Sequence, residues 1–153
     1  MMKILASHLN RLLWLPVTLL TLGVSAEAGI AQQQQIYSPI PISSGKEITG
    51  SLSNKDIPTG MGGFSRDYMV KLKGGDQVAV DLLSDEFDAL VALIGPDGST
   101  IGENDDGPDG TTNSLLFARI TEEGNYVVRV RSYAGEGVGE FSLKVTRLRP
   151  VND

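Results

Sequence analysis

From about Lys46 to Arg147, apolar residues alternate with polar ones in short runs, and Gly, Asp and Asn separate the runs. A period of two places one side-chain set on each face of an extended strand, so this stretch predicts β-strands that each bury one face. Tyr68, Val70 and Leu72 alternate with Met69, Lys71 and Lys73, and Val78, Val80 and Leu82 with Ala79, Asp81 and Leu83. Gly74-Gly75 between them predicts a hairpin. Ala89–Ile94 is continuously apolar, as expected for a strand covered on both faces. Pro96-Asp97-Gly98 marks a turn into a short strand near Thr100–Gly102. Ser114–Ile120 is a further apolar run, in which Leu115 and Phe117 are expected inside. Tyr126, Val128 and Val130, then Phe141, Leu143 and Val145, close the pattern as a last hairpin. About eight strands and no convincing helix predict an all-β antiparallel sandwich or barrel. No fixed-period repeat points to a solenoid.

The first 28 residues read as a leader. Lys3, His8 and Arg11 precede the apolar Leu12–Val24 stretch, and Ala26-Glu27-Ala28 ends it. A basic start, a short apolar segment and small exit residues describe a secretory signal peptide. Cleavage is placed after Ala28, with Ala26 and Ala31 as alternatives. This mostly apolar stretch of 13 residues falls short of the roughly 20 a membrane span needs. The expected layout is therefore leader 1–28, flexible lead-in 29–44 with its glutamines and Pro39 and Pro41, domain 45–148 and tail 149–153. Export to the periplasm or medium follows, with no stable membrane insertion after cleavage.

Charge and residue inventory exclude much chemistry. The net charge of -6 becomes -7 when Lys3, Arg11 and Glu27 leave with the leader. Such a surface repels nucleic acid. The chain has no cysteine, and its single histidine is His8. The processed chain thus lacks the residues for a Ser-His-Asp or Cys-His site or for a His- or Cys-ligated zinc. Paired carboxylates, with Asp88 and Asp106 the pair to test, are the one catalytic arrangement left open, and the reading is non-catalytic.

Acidic residues form the strongest positive constellation. Asp88 precedes one strand, and Asn104, Asp105, Asp106 and Asp109 lie in a later loop. Calcium takes about six to eight hard oxygen ligands, so these residues are candidate calcium ligands if a hairpin brings them to one end. The same residues also make turns, and the EF-hand spacing is absent. Candidate partner contacts are Arg129 and Arg131, expected to share an outward face with Lys144, and Phe64 and Tyr133 in loops. Solvated charge and covered core ends are the plainer explanations.

The order Gly45-Lys46-Glu47-Ile48-Thr49-Gly50-Ser51-Leu52, Asp67-Tyr68-Met69-Val70, Gly75-Asp76-Gln77-Val78, Phe87-Asp88, Pro96-Asp97-Gly98, Asn104-Asp105-Asp106, Gly124-Asn125-Tyr126-Val127-Val128 and Gly139-Glu140-Phe141-Ser142-Leu143 resembles the bacterial pre-peptidase C-terminal domain family. Phe141 stands where that family more often looks to have tyrosine. The resemblance implies a jelly-roll-like β-sandwich. It adds weight to calcium, because such sites occur in similar domains. Family members are found on secreted peptidases and also alone, and the leader beside the domain favours the stand-alone case. The expected function is a secreted binding or accessory module for an extracellular or envelope protein or polysaccharide. A chaperone-like or structural role beside a separately encoded peptidase is the alternative.

Overall fold

The computed structural model describes residues 37–108 and 110–148. The leader, residues 29–36, Asp109 and the tail lie outside them. Among the described residues there are ten strands: β1 (Ile40–Pro41), β2 (Glu47–Leu52), β3 (Ile57–Pro58), β4 (Phe64–Leu72), β5 (Gln77–Leu83), β6 (Ala89–Ile94), β7 (Thr100–Asn104), β8 (Ser114–Arg119), β9 (Gly124–Ser132) and β10 (Gly139–Leu148). One sheet runs β1-β4-β9-β6-β7, with β3 also on β4, and the other runs β2-β10-β5-β8. Except for β1 and β3, this is the strand order of a jelly roll, in which the chain changes sheet at nearly every connection.

That order corrects two expected hairpins. Gly74-Gly75 does reverse the chain, with Asp76 N–H donating to Lys73 O at 3.0 Å. Yet β4 and β5 sit in different sheets, as do β9 and β10. Alternation reports which side chains face the core, and a strand facing the core from either sheet has the same period. Lys144 therefore lies in the opposite sheet from Arg129 and Arg131. The β6–β7 hairpin is present as expected, antiparallel with Val91 opposite Asn104.

Two short edge strands were not anticipated. Ile40 and Pro41, expected in the flexible lead-in, pair in parallel with Tyr68 and Met69. Ile57 and Pro58, expected in a loop, pair with Ser65 and Phe64. Proline donates no N–H and is tolerated at a sheet edge, so both prolines mark edges here.

The inward faces form one core that includes Leu52, Tyr68, Leu72, Val80, Leu93, Val128 and Leu143. Each such aliphatic side chain contributes roughly 1.5–3 kcal/mol on burial. Phe141 meets Tyr68 and Phe87 edge-on, with centroids 6.2 and 6.3 Å apart. These rings explain Gly50 in the middle of β2: a Cβ there would lie 2.6 Å from Tyr68 Oη and 2.7 Å from Phe141 Cζ. In β8 the expected parity is reversed. Ser114 and Leu116 are buried, whereas Phe117 is 63% exposed. An apolar run such as Ser114-Leu115-Leu116-Phe117-Ala118 has no polar alternation from which to choose the inner face.

Candidate binding surfaces

On the outer face of the larger sheet, β4 and β9 place Asp67 opposite Arg129. Arg129 donates from Nε and Nη2 to the two Asp67 carboxylate oxygens at 2.8 and 2.7 Å. Tyr37 Oη donates to Asp67 Oδ2 at 2.5 Å. The Asp67 side chain is 1% exposed and that of Arg129 34%. Partial burial, then the neighbouring Asp67 carboxylate, pushes the Tyr37 phenol up to about 12. The Asp67 hydrogen bonds hold Arg129 above its ordinary value. Beside this triad, Arg66 Nε donates to Asp56 Oδ1 at 2.8 Å. Tyr37, Ile40, Ile57, Arg66 and Asp67 line an open groove of about 510 Å³. Arg129 is thus committed within the domain and is not a free contact for an acidic partner. Sequence reasoning missed Asp67 and Asp56. Their partners emerge only when the β4–β9 register and the β3 turn are known.

Arg131 Nη2 donates to Glu103 Oε2 at 2.9 Å across β6. Its Nε is buried with no hydrogen-bond partner. Glu103 and Arg131 border a cleft of about 280 Å³ together with Leu90, Met61 and Tyr133. Met61 is 82% exposed and Tyr133 50%. The loops carrying them pack backbone against backbone. A Cβ on Gly135 would fall 2.5 Å from Gly62 O, and Gly135 has φ +76°. Ala134 is held at φ 52° in the same turn, a conformation that costs free energy and persists where its surroundings enforce it. The structure therefore brings Arg131 and Tyr133 together. Arg129, on the same outward face of β9, is paired instead with Asp67, and Phe64 is left half-buried against the core rather than on a contact surface.

The β6–β7 hairpin does carry Asp88 and the 104–106 segment toward one end. Asn104 Nδ2, however, donates to Asp106 O at 2.6 Å and Leu115 O at 2.9 Å. Ser114 Oγ donates to Asn104 O at 2.6 Å, and Leu115 N–H to Asp106 O at 3.1 Å. Among the described residues, no group of three or more acidic side chains converges as a metal site. In the described part of this loop the Asn104 amide nitrogen and the Asp106 carbonyl are engaged in hydrogen bonds within the strap. Asp109 lies outside the described residues. A shallow hollow of about 640 Å³ on the smaller sheet contains Asp85, Glu86 and Glu140. There Glu86 Oε2 is occupied by the Glu140 N–H at 2.9 Å. Among the described residues, no helix is long and apolar enough to cross a membrane.

Residues 64–132, from β4 through β9, match the family model of the bacterial pre-peptidase C-terminal domain. The pre-peptidase C-terminal domain of a collagenase from Bacillus anthracis has a similar fold: TM-score 0.55, 12% identity, covering 71% of this chain and 95% of that one. A periplasmic inhibitor of g-type lysozyme from Aeromonas hydrophila is comparable in fold: TM-score 0.54, 18% identity, 72% of this chain and 96% of that one. No curated protein matches the sequence. The chain thus resembles the bacterial pre-peptidase C-terminal domain family over residues 64–132 and is built as a jelly-roll sandwich.

Proposed function

We propose that this protein is a non-catalytic binding module working outside the cytoplasm. It recognises an extracellular or envelope protein or polysaccharide through the end where loops 59–63 and 133–138 meet. One observation carries the reading: Met61 and Tyr133 stand exposed beside a cleft, on loops packed against each other. An exposed tyrosine gives a large contact at low ordering cost, and methionine adapts its shape to a partner. The residue inventory supports a role without catalysis, since the only histidine is His8, in the segment read as a leader. The lysozyme inhibitor of similar fold acts on another protein.

The test is retention of envelope polymers and secreted proteins on the immobilised protein, compared with a Met61→Ala/Tyr133→Ala variant. Retention that the variant loses supports the reading. Equal retention by both removes the recognition site from this end. The family's association with peptidases favours one second reading, an accessory that assists a separately encoded peptidase. A peptidase as the retained species, with lower secreted yield when this protein is deleted, would select it.

A further inference from the structure

We infer that the cleft between loops 59–63 and 133–135 is a subsite for one neutral sugar ring, an inference that rests on the recognition end proposed above. At about 280 Å³ the cleft is at the small end for ligand sites, which span roughly 300–1,000 Å³. It therefore suits a single ring and not a chain. Its walls are of two kinds. Leu90, which lies on the sheet's outer face, and Tyr133 supply apolar and aromatic surface for the C–H face of a sugar. Arg131 and Glu103 supply a donor and an acceptor side by side, and their ion pair leaves the fork without net charge.

That neutrality selects the ligand chemistry. A hydroxyl is both donor and acceptor and can bond to each half of the fork. An anion would find the Arg131 charge already compensated, on a chain of net charge -6. The Arg131 Nε–H is buried without a protein acceptor. Most buried polar groups are paired, so this donor calls for an acceptor as small as a water, which could in turn bridge to a sugar hydroxyl. A peptide strand fits less well. Leu90 and Arg131 stand on β6 and β9, and both of these strands are already paired on either side. Strand addition would need the outer edge of β7, one strand beyond Leu90 and two beyond Arg131.

The experiment is an amide NMR titration of the full chain with cellobiose and di-N-acetylchitobiose. Digalacturonate and inorganic phosphate serve as anionic comparators. We expect saturable shifts centred on Leu90, Glu103, Arg131 and Tyr133 with a neutral disaccharide, and at least fivefold weaker binding of both anions. Tyr133→Ala and Glu103→Gln should each weaken the neutral sugar about tenfold while melting within a few degrees of the parent. If a variant misfolds, the site-specific shifts of the parent protein still decide. Absence of shifts with neutral sugars, shifts centred elsewhere, or stronger binding of an anion would each overturn the inference. If sugars fail while a macromolecule is still retained through Met61 and Tyr133, the sugar subsite falls and the recognition end stands. If nothing binds at this end, both fall.

Discussion

Replacing Asp67 by alanine removes the acceptor of three hydrogen bonds, two from Arg129 and one from Tyr37. Breaking a fully buried ion pair costs about 3–5 kcal/mol, because the surviving charge is left unpaired. Here the survivor is Arg129, whose side chain is 34% exposed and can rehydrate. The expected loss is therefore lower, about 2–3 kcal/mol, or a melting temperature lower by roughly 10 °C for a domain of this size. Arg129→Met makes the converse change. It strands a carboxylate that is 1% exposed, with only the Tyr37 hydroxyl beside it. It should cost more than Asp67→Ala, by about 1 kcal/mol. Urea unfolding of both single variants and the double variant closes a double-mutant cycle, with an expected coupling of about 2 kcal/mol. The reasoning is refuted if Asp67→Ala costs less than about 0.5 kcal/mol, the range of an ordinary surface change. It is also refuted if Arg129→Met is the milder of the two.

The raised Tyr37 pKa gives a signed pH dependence. The folded state holds this proton more tightly than the unfolded chain, so the contribution is complete below the ordinary tyrosine pKa near 10. It is lost as pH rises toward about 12. Urea midpoints between pH 9 and 12 should fall more steeply in the parent than in Tyr37→Phe, and parallel curves would count against the contact. Asn104→Ala should cost about 1–3 kcal/mol, since it leaves the Asp106 and Leu115 carbonyls without their amide donor. Melting in millimolar calcium and in chelator should coincide if the Asn104 hydrogen bonds suffice to tie this loop. A calcium-dependent rise would restore the Asp88 to Asp109 oxygens as ligands. In β8, Leu116→Ala should cost about 2–4 kcal/mol and Phe117→Ser under about 0.5, as thermal melts of the two will compare.

Much of the fold was legible because alternation reports burial directly. Tyr68, Val70 and Leu72 face the core as read, and so do Tyr126, Val128 and Val130. What alternation does not carry is which strands pair. Gly74-Gly75 turns the chain in a hairpin and in a change of sheet alike, so β4–β5 and β9–β10 were misjoined. The parity of β8 was lost for a related reason, an apolar residue standing at adjacent positions. Ile40-Pro41 and Ile57-Pro58 escaped notice because two-residue edge strands have no period to detect. At the candidate site, Tyr133 and Arg131 were legible as an exposed aromatic and an outward charge. Glu103 joined them only through the β6–β7 and β6–β9 registers, and Asp67 claimed Arg129 only through that of β4 and β9.

The central claim is that this sandwich recognises its ligand through the Met61 and Tyr133 end. The most direct test is the dissociation constant of its retained partner for three proteins: the parent, Met61→Ala/Tyr133→Ala, and Phe117→Ala on the opposite sheet. The account predicts at least a tenfold loss for the double variant and less than a twofold change for Phe117→Ala. Equal affinity for the parent and the double variant, or a loss confined to Phe117→Ala, would contradict it.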